Sequence, residues 1–216
     1  SHLGFVFGID ISRDNIENKH DGACARYLKA RKDNYGIPYA LFVNGNSALN
    51  IRSGIALFTE KGKEITQSIF GEIPKNETIG SAVVRQYGKA SNGFDVGSCQ
   101  FALHYFFENV DTLQGFCRNV SECIKEGGYF IGTCYDGSKI FDSLKDKKRG
   151  ESCCIVKSGD TKVWEVIKEY DATTFRDNET SLGYAINVYQ ETINKYFREY
   201  LVNFGYFIRV MENYGF

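Results

Sequence analysis

Phe94-Asp95-Val96-Gly97-Ser98-Cys99-Gln100-Phe101 runs straight into Ala102-Leu103-His104-Tyr105-Phe106-Phe107-Glu108. The first eight residues read as a buried strand, and the next seven as a polar and aromatic cluster where that strand ends. Behind it, Leu113, Phe116, Cys117, Val120, Cys123 and Ile124 share one face of a helix that Asp111 caps and Gly127 ends. Tyr129 to Tyr135 reads as the next strand.

The pattern repeats upstream. Phe5-Val6-Phe7-Gly8-Ile9 is a short apolar run ending at Asp10. Asp21 is placed to cap a helix with Ala23, Cys24, Tyr27 and Leu28 inward and Arg26, Lys29 and Arg31 in water. Asn34-Tyr35-Gly36 stops that helix, and Pro38 to Val43 is a second strand ending in Asn44-Gly45-Asn46-Ser47. Residues 50–93 read as a long insertion or connection, with short helical pieces around Gln67–Phe70 and Ala82–Val84. Downstream, Ser138 to Lys145 reads as a helix, and Cys154 to Lys157, Val163 to Tyr170 and Tyr184 to Gln190 as strands. Arg198-Glu199-Tyr200-Leu201-Val202 opens a last helix carrying Leu201, Phe204, Ile208 and Met211 on one face. Alternating strands and helices followed by antiparallel strands predict an α/β domain with a mostly parallel sheet and helices on both faces. Ligands of such sheets sit at the carboxyl ends of the strands.

Composition removes several classes of function. The 216 residues are 43% apolar and 25% charged, so the chain can bury a sizeable core. A net charge of −1 excludes a polybasic binder and confines nucleic-acid contact to a local pocket. No stretch approaches the ~20 apolar residues of a membrane helix, and no signal peptide opens the chain. Ser1 and His2 read as a cloning scar. The seven cysteines cannot all pair and contain no Cys-x-x-Cys, which argues for reduced thiols in an intracellular setting and against a zinc site.

Three strand ends carry the candidate chemistry. Asp10 can accept both hydroxyls of a nucleoside ribose, or serve as a cap or turn residue. Asn44-Gly45-Asn46-Ser47 can meet an adenine edge, or form a plain turn. Gln100, Phe101, His104 and Tyr105 supply an amide, flat faces and a ring nitrogen, the means of holding a planar base. Glu199 can accept from guanine N1–H and N2–H₂, or answer the dipole of a helix.

Together these segments resemble the mRNA cap (guanine-N7) methyltransferases. The family signature Phe-Asp-x-x-Ser-Cys-Gln-Phe-x-x-His-Tyr-x-Phe-Glu stands here as Phe94 to Glu108. Gly127-Gly128-Tyr129-Phe130-Ile131-Gly132-Thr133, Gly8-Ile9-Asp10-Ile11-Ser12, Arg26-Tyr27 and Glu199-Tyr200-Leu201-Val202 match further family segments in order. The likeness is strongest to the methyltransferase part of capping enzymes of large DNA viruses. It implies a class I S-adenosylmethionine-dependent, Rossmann-like fold, with Asp10, Ile11, Asn46, Ser47, Gln100 and Phe101 on the donor. The family usually has Asp where Asn46 stands. It implies His104, Tyr105 and Glu199 around the cap guanine, no proton-transfer catalyst and no metal. The implied partner is the capped 5′ end of mRNA, in the nucleus for a cellular protein or the cytoplasm or viral factory for a viral one. The family's first strand and Gly-rich loop have no counterpart here. Residues 1–216 therefore read as one incomplete methyltransferase domain. Its unpaired strand edges are expected to pair with other capping-enzyme domains or subunits, or with a second copy. A methyltransferase-like binding module without turnover, and a class I methyltransferase for another small substrate, are the alternative readings.

Overall fold

Apolar side chains on both faces suit Phe5-Val6-Phe7-Gly8-Ile9 to a covered strand. In the computed structural model, which describes residues 3–156 and 162–216, this segment forms β1 (Phe5–Asp10). Helices α1 (Arg13–Glu17) and α2 (Ala23–Asp33) follow, then β2 (Tyr39–Asn44), which pairs parallel with β1 from Phe5↔Tyr39 to Asp10↔Asn44. Close packing here depends on Gly8, where a Cβ would lie 2.7 Å from the Phe42 ring. Helices α3 (Glu60–Phe70) and α4 (Ser81–Val84) lie in the long connection. Strand β3 (Phe94–Gln100), a 3-10 turn at Leu103–Glu108, α5 (Val110–Cys123) and β4 (Ile124–Thr133) complete the signature region, with β3 and β4 paired. Then come α6 (Gly137–Ser143), β5 (Ser152–Val156), β6 (Lys162–Lys168), β7 (Ala185–Gln190), β8 (Lys195–Tyr200) and α7 (Phe204–Asn213).

The protein is a mixed α/β protein. Among the described residues its strands form three ladders: β1–β2, β3–β4 and the antiparallel sheet β5-β6-β7-β8. The chain divides into two compact units. One takes residues up to Gly97 together with Arg118–Tyr129, and the other Ser98–Cys117 with Phe130–Phe216. The first is centred on Ile51, Ala56, Ile69, Phe70 and Ala90, with Phe5 and Phe7 packed against them. The second is centred on the inner face of the four-stranded sheet, where Val166, Ile186, Val188 and Leu201 meet Ile140 and Leu144 of the α6 region. No described helix is long and apolar enough to cross a membrane.

Several local expectations are corrected. Gly22, not Asp21, is the N-cap of α2, and it makes no side-chain cap bond. That helix buries no residue completely, and Leu28, expected inward, is 66% exposed. Asp111 lies inside the first turn of α5. The cap is Asn109, whose Oδ1 accepts from Thr112 N (3.0 Å) while Thr112 Oγ1 accepts from Asn109 N (3.3 Å), a reciprocal capping box. Gly127 does not end α5, which stops at Cys123; its φ of 73° falls inside β4. The expected helix start at Arg198–Val202 is instead the end of β8, and α7 begins at Phe204. Phe207, Val210 and Met211 are its buried residues, whereas Phe204 and Ile208 are exposed. Ser1, His2 and Lys157 lie outside the described residues.

Candidate functional site

In the second unit, β3 ends at Gln100 and the backbone turns sharply. Phe101 adopts φ 51°, a left-handed conformation that costs a bulky residue ~1–2 kcal/mol. Leu103 and Phe107 are buried and pin the following 3-10 turn, which carries His104 inward. On β8, side chains alternate between the sheet faces, so Phe197 and Glu199 share one of them, and Leu201, just past the strand, continues the alternation. Leu201 joins the core, while Phe197 and Glu199 line a cavity of about 300 Å³ with Phe101, His104, Tyr105 and Tyr135.

The polar atoms of this cavity are unusual. His104 and Glu199 are 5% and 7% exposed, and His104 Nδ1 lies 3.6 Å from Glu199 Oε2. Neither His104 nitrogen nor Glu199 Oε2 has a hydrogen-bond partner among the described residues. The spacing is that of an ion pair, but the charges are not. Burial pushes the His104 imidazole down to about 4 and the Glu199 carboxyl up to about 7, so at neutral pH the histidine is uncharged and the glutamate is near its midpoint. Buried polar groups are normally satisfied. These orphaned atoms line the cavity and are open to a ligand's polar groups. The Tyr105 ring packs edge-on against His104 with centroids 4.3 Å apart, and it is 45% exposed, a flat face for a planar group. Tyr135 Oη accepts from Trp164 Nε1 (3.1 Å) and Gln190 Nε2 (2.9 Å), so Tyr135 and Gln190 contribute a hydrogen-bonded cluster to the cavity lining.

The structure thus brings His104, Tyr105 and Glu199 together, and Phe101 with them. Tyr135, Gln190 and Phe197 escape the sequence reading. Phe197 was within reach of it, because a residue two before Glu199 shares its face once the segment is read as a strand.

The remaining expected positions are found as follows. Gln100 Oε1 accepts from Thr133 Oγ1 (2.8 Å), and its Nε2 donates to Ser98 Oγ (3.0 Å), on the exposed edge where β3 meets β4. In the first unit Asp10 ends β1 beside a cavity of about 360 Å³ that Arg26 and Asp21 also line. Its Oδ1 accepts from Ser12 N (2.7 Å) and its Oδ2 from Asn15 Nδ2 (3.2 Å). A carboxylate has about four acceptor sites, and these two bonds occupy one on each oxygen. Asn44, the first residue of the Asn44–Ser47 strand end, donates through Nδ2 to the carbonyls of Asp10 and Ile11 and fixes that turn. Ile11 is exposed. Asn46 Oδ1 accepts from Ala48 N (2.9 Å), an Asx turn, and Ser47 O accepts from Asn119 Nδ2 (2.7 Å).

Comparison with known proteins gives one family. Residues 63–216 match the mRNA (guanine-N(7))-methyltransferase domain. The chain is 29% identical over 202 residues to a probable mRNA-capping enzyme of Acanthamoeba polyphaga mimivirus, covering 92% of this chain and 16% of that protein. It is 31% identical over 122 residues to the mRNA cap guanine-N(7) methyltransferase of Schizosaccharomyces pombe, covering 56% of this chain and 32% of that protein. With the corresponding enzyme of Aspergillus niger the figures are 36% over 72 residues, 33% and 12%. The chain therefore spans about a third or less of the length of each of these relatives.

Proposed function

Because this chain belongs to the mRNA (guanine-N(7))-methyltransferase domain family, we propose that it carries the guanine-binding part of a methyltransferase acting on N7 of the mRNA cap. The observation that carries this reading is the pair of orphaned groups in the cavity of the second unit. Guanine presents N1–H and N2–H₂ side by side, and the ionised carboxylate of Glu199 accepts both. Neutral His104 offers one N–H and one lone pair beside it, and Tyr105 offers a ring face. The placement of Glu199 on β8, outside the first turn of α7, agrees with this reading.

S-adenosylmethionine, when bound, supplies a methyl group activated on a sulfonium. Asp10, with two acceptor sites free, suits its ribose, and Ile11, Asn46, Ser47, Gln100 and Phe101 are assigned to its adenosine and remaining portions. Guanine N7 has a lone pair and no proton, so the chain's residues need remove none. Their work is to hold the base in line, exclude water and balance the positive charge that methylation places on the purine. The finer fold reading is a class I, Rossmann-like methyltransferase sheet, with residues 1–216 one domain and 50–93 a long connection. The substrate is then the capped 5′ end of mRNA in an intracellular compartment.

The test is calorimetry with GpppA and the wild-type and Glu199→Gln chains. Binding that falls roughly tenfold or more in the variant supports the reading, on the scale of a charge-assisted hydrogen bond, ~1.5–3 kcal/mol. Equal affinity in both removes Glu199 from the site.

A further inference from the structure

The hydroxyl of Tyr135 has its direction dictated by its neighbours. Tyr135 stands between β4 and α6, on backbone that is tied on both sides. Phe101 N donates to Thr133 O (2.8 Å), Gly137 N donates to Val202 O (3.1 Å), and Asp136 Oδ1 caps α6 by accepting from Ser138 N (3.0 Å). Trp164 and Gln190 lie directly opposite each other on β6 and β7, so both side chains reach Tyr135 from one face of the sheet. An indole N–H and an amide NH₂ can only donate. Both bonds to Tyr135 Oη, from Trp164 Nε1 (3.1 Å) and Gln190 Nε2 (2.9 Å), therefore run towards the oxygen and fill its lone pairs. The hydroxyl proton goes to no acceptor among the described residues, and Tyr135 lines the cavity that also holds His104 and Glu199. The same two donors keep the hydroxyl from turning round to accept, so Tyr135 is an obligate donor. His104 is set the other way. Its Nδ1 lies 3.6 Å from Glu199 Oε2, which favours a proton on Nδ1 and leaves Nε2 as an acceptor.

A guanine edge presents N2–H₂, N1–H and O6 in a row, two donors and one acceptor. We propose that Tyr135 sets the base specificity of this cavity by donating its hydroxyl proton to O6, while Glu199 accepts from the two donors. Adenine carries an amino group in place of O6, so two donors would face each other and the tyrosine could not reverse. Sites built on buried hydrogen bonds reject such mismatches strongly. O6 also lies beside N7 on the purine, so a bond there fixes N7 without occupying it. That the base is guanine rests on the cap reading above; that Tyr135 must donate rests on Trp164 and Gln190 alone.

The experiment measures by calorimetry the affinities of GpppA and of its 6-thioguanine analogue. In the analogue sulfur, a weak acceptor, replaces O6, while N1–H and N2–H₂ are kept. The chains are wild type, Tyr135→Phe and Gln190→Glu. The first variant removes the proton. The second keeps the hydroxyl as the acceptor that Trp164 requires, but offers a carboxylate to which the proton would turn. The readout is the ratio of the two affinities, in which a general loss from a disturbed cavity, or from the bulk of sulfur, cancels. The preference for GpppA should fall by about three- to tenfold in Tyr135→Phe, the worth of one neutral hydrogen bond, and should fall in Gln190→Glu as well. Circular dichroism shows whether Tyr135→Phe folds; where it does not, Gln190→Glu decides. An unchanged ratio in the deciding variant, including an equal loss for both compounds, means that Tyr135 only braces the wall, and overturns the inference. Failure of wild type to bind GpppA overturns the cap reading and the inference together, whereas binding with an unchanged ratio overturns the inference alone.

Discussion

Glu199 and His104 are buried ionisable groups, and neither imidazole nitrogen nor Glu199 Oε2 has a hydrogen-bond partner among the described residues; the consequence is measurable in stability. Burial raises the Glu199 carboxyl from 4.5 to about 7 and lowers the His104 imidazole from 6.5 to about 4. For Glu199 the folded chain holds a proton that the unfolded chain has lost between these values. Its contribution to stability therefore falls as pH rises from 4.5 and reaches its full cost, on the order of 3 kcal/mol, above 7. For His104 the unfolded chain binds the extra proton, so stability rises with pH from about 4 to 6.5. Glu199→Gln removes only the first effect. Its melting temperature relative to wild type should climb between pH 5 and pH 8, and a constant difference would show that the carboxyl is not buried in this way. Ligand binding runs oppositely on the proposed reading: if GpppA is held by ionised Glu199, its affinity should rise from pH 6 to pH 8 in wild type and stay flat in the variant. Both residues were legible in the sequence as candidates. The setting of Glu199 was not, and the reason is physical. In Lys195–Tyr200 aromatic residues stand on both faces and the cavity places a charged residue inward, which erases the polar–apolar alternation that marks a strand.

The same contest between local pattern and tertiary context decides the elements. Helix α5 was legible because its apolar residues recur at helical spacing, yet its start was misplaced, since Asn109 and Asp111 are both good caps and only the backbone settles which is used. Asn109→Ala should lower stability by ~1 kcal/mol, whereas Asp111→Ala should cost only a few tenths, as expected of a first-turn carboxylate facing the dipole. Equal losses in urea titrations would contradict the capping box. Helix α6 depends on a closer fit. A Cβ on Gly137 would lie 2.3 Å from the carbonyl oxygen and 2.7 Å from the nitrogen of Val202, which is backbone and cannot rotate aside. Gly137 N also donates to that oxygen (3.1 Å). Gly137→Ala should destabilise the chain by more than ~1–3 kcal/mol, the usual range for overpacking, because the strain falls on the segment that follows β8. A melting temperature within a degree of wild type would mean that this contact is looser than described.

At the scale of the molecule, the order of strands and helices was readable from β2 to β7, where each step has its own periodicity, but not at α1 or β8. The grouping of strands into three ladders was not, since hydrogen-bond partners between distant segments leave no mark in a single sequence. If residues 1–216 are one cooperative domain, as proposed, the calorimetric and van't Hoff enthalpies of unfolding should agree; a ratio well above one would assign the two compact units separate transitions. The second unit also carries its own witness. Trp164 is the sole tryptophan of the chain, and its indole N–H is bonded to the hydroxyl of a tyrosine that lines the cavity. A purine entering that cavity would alter the surroundings of the hydroxyl and hence the emission of the indole behind it. If the cavity takes guanine as proposed, the chain contains a built-in optical gauge by which guanine-bearing compounds can be ranked without labelling either partner.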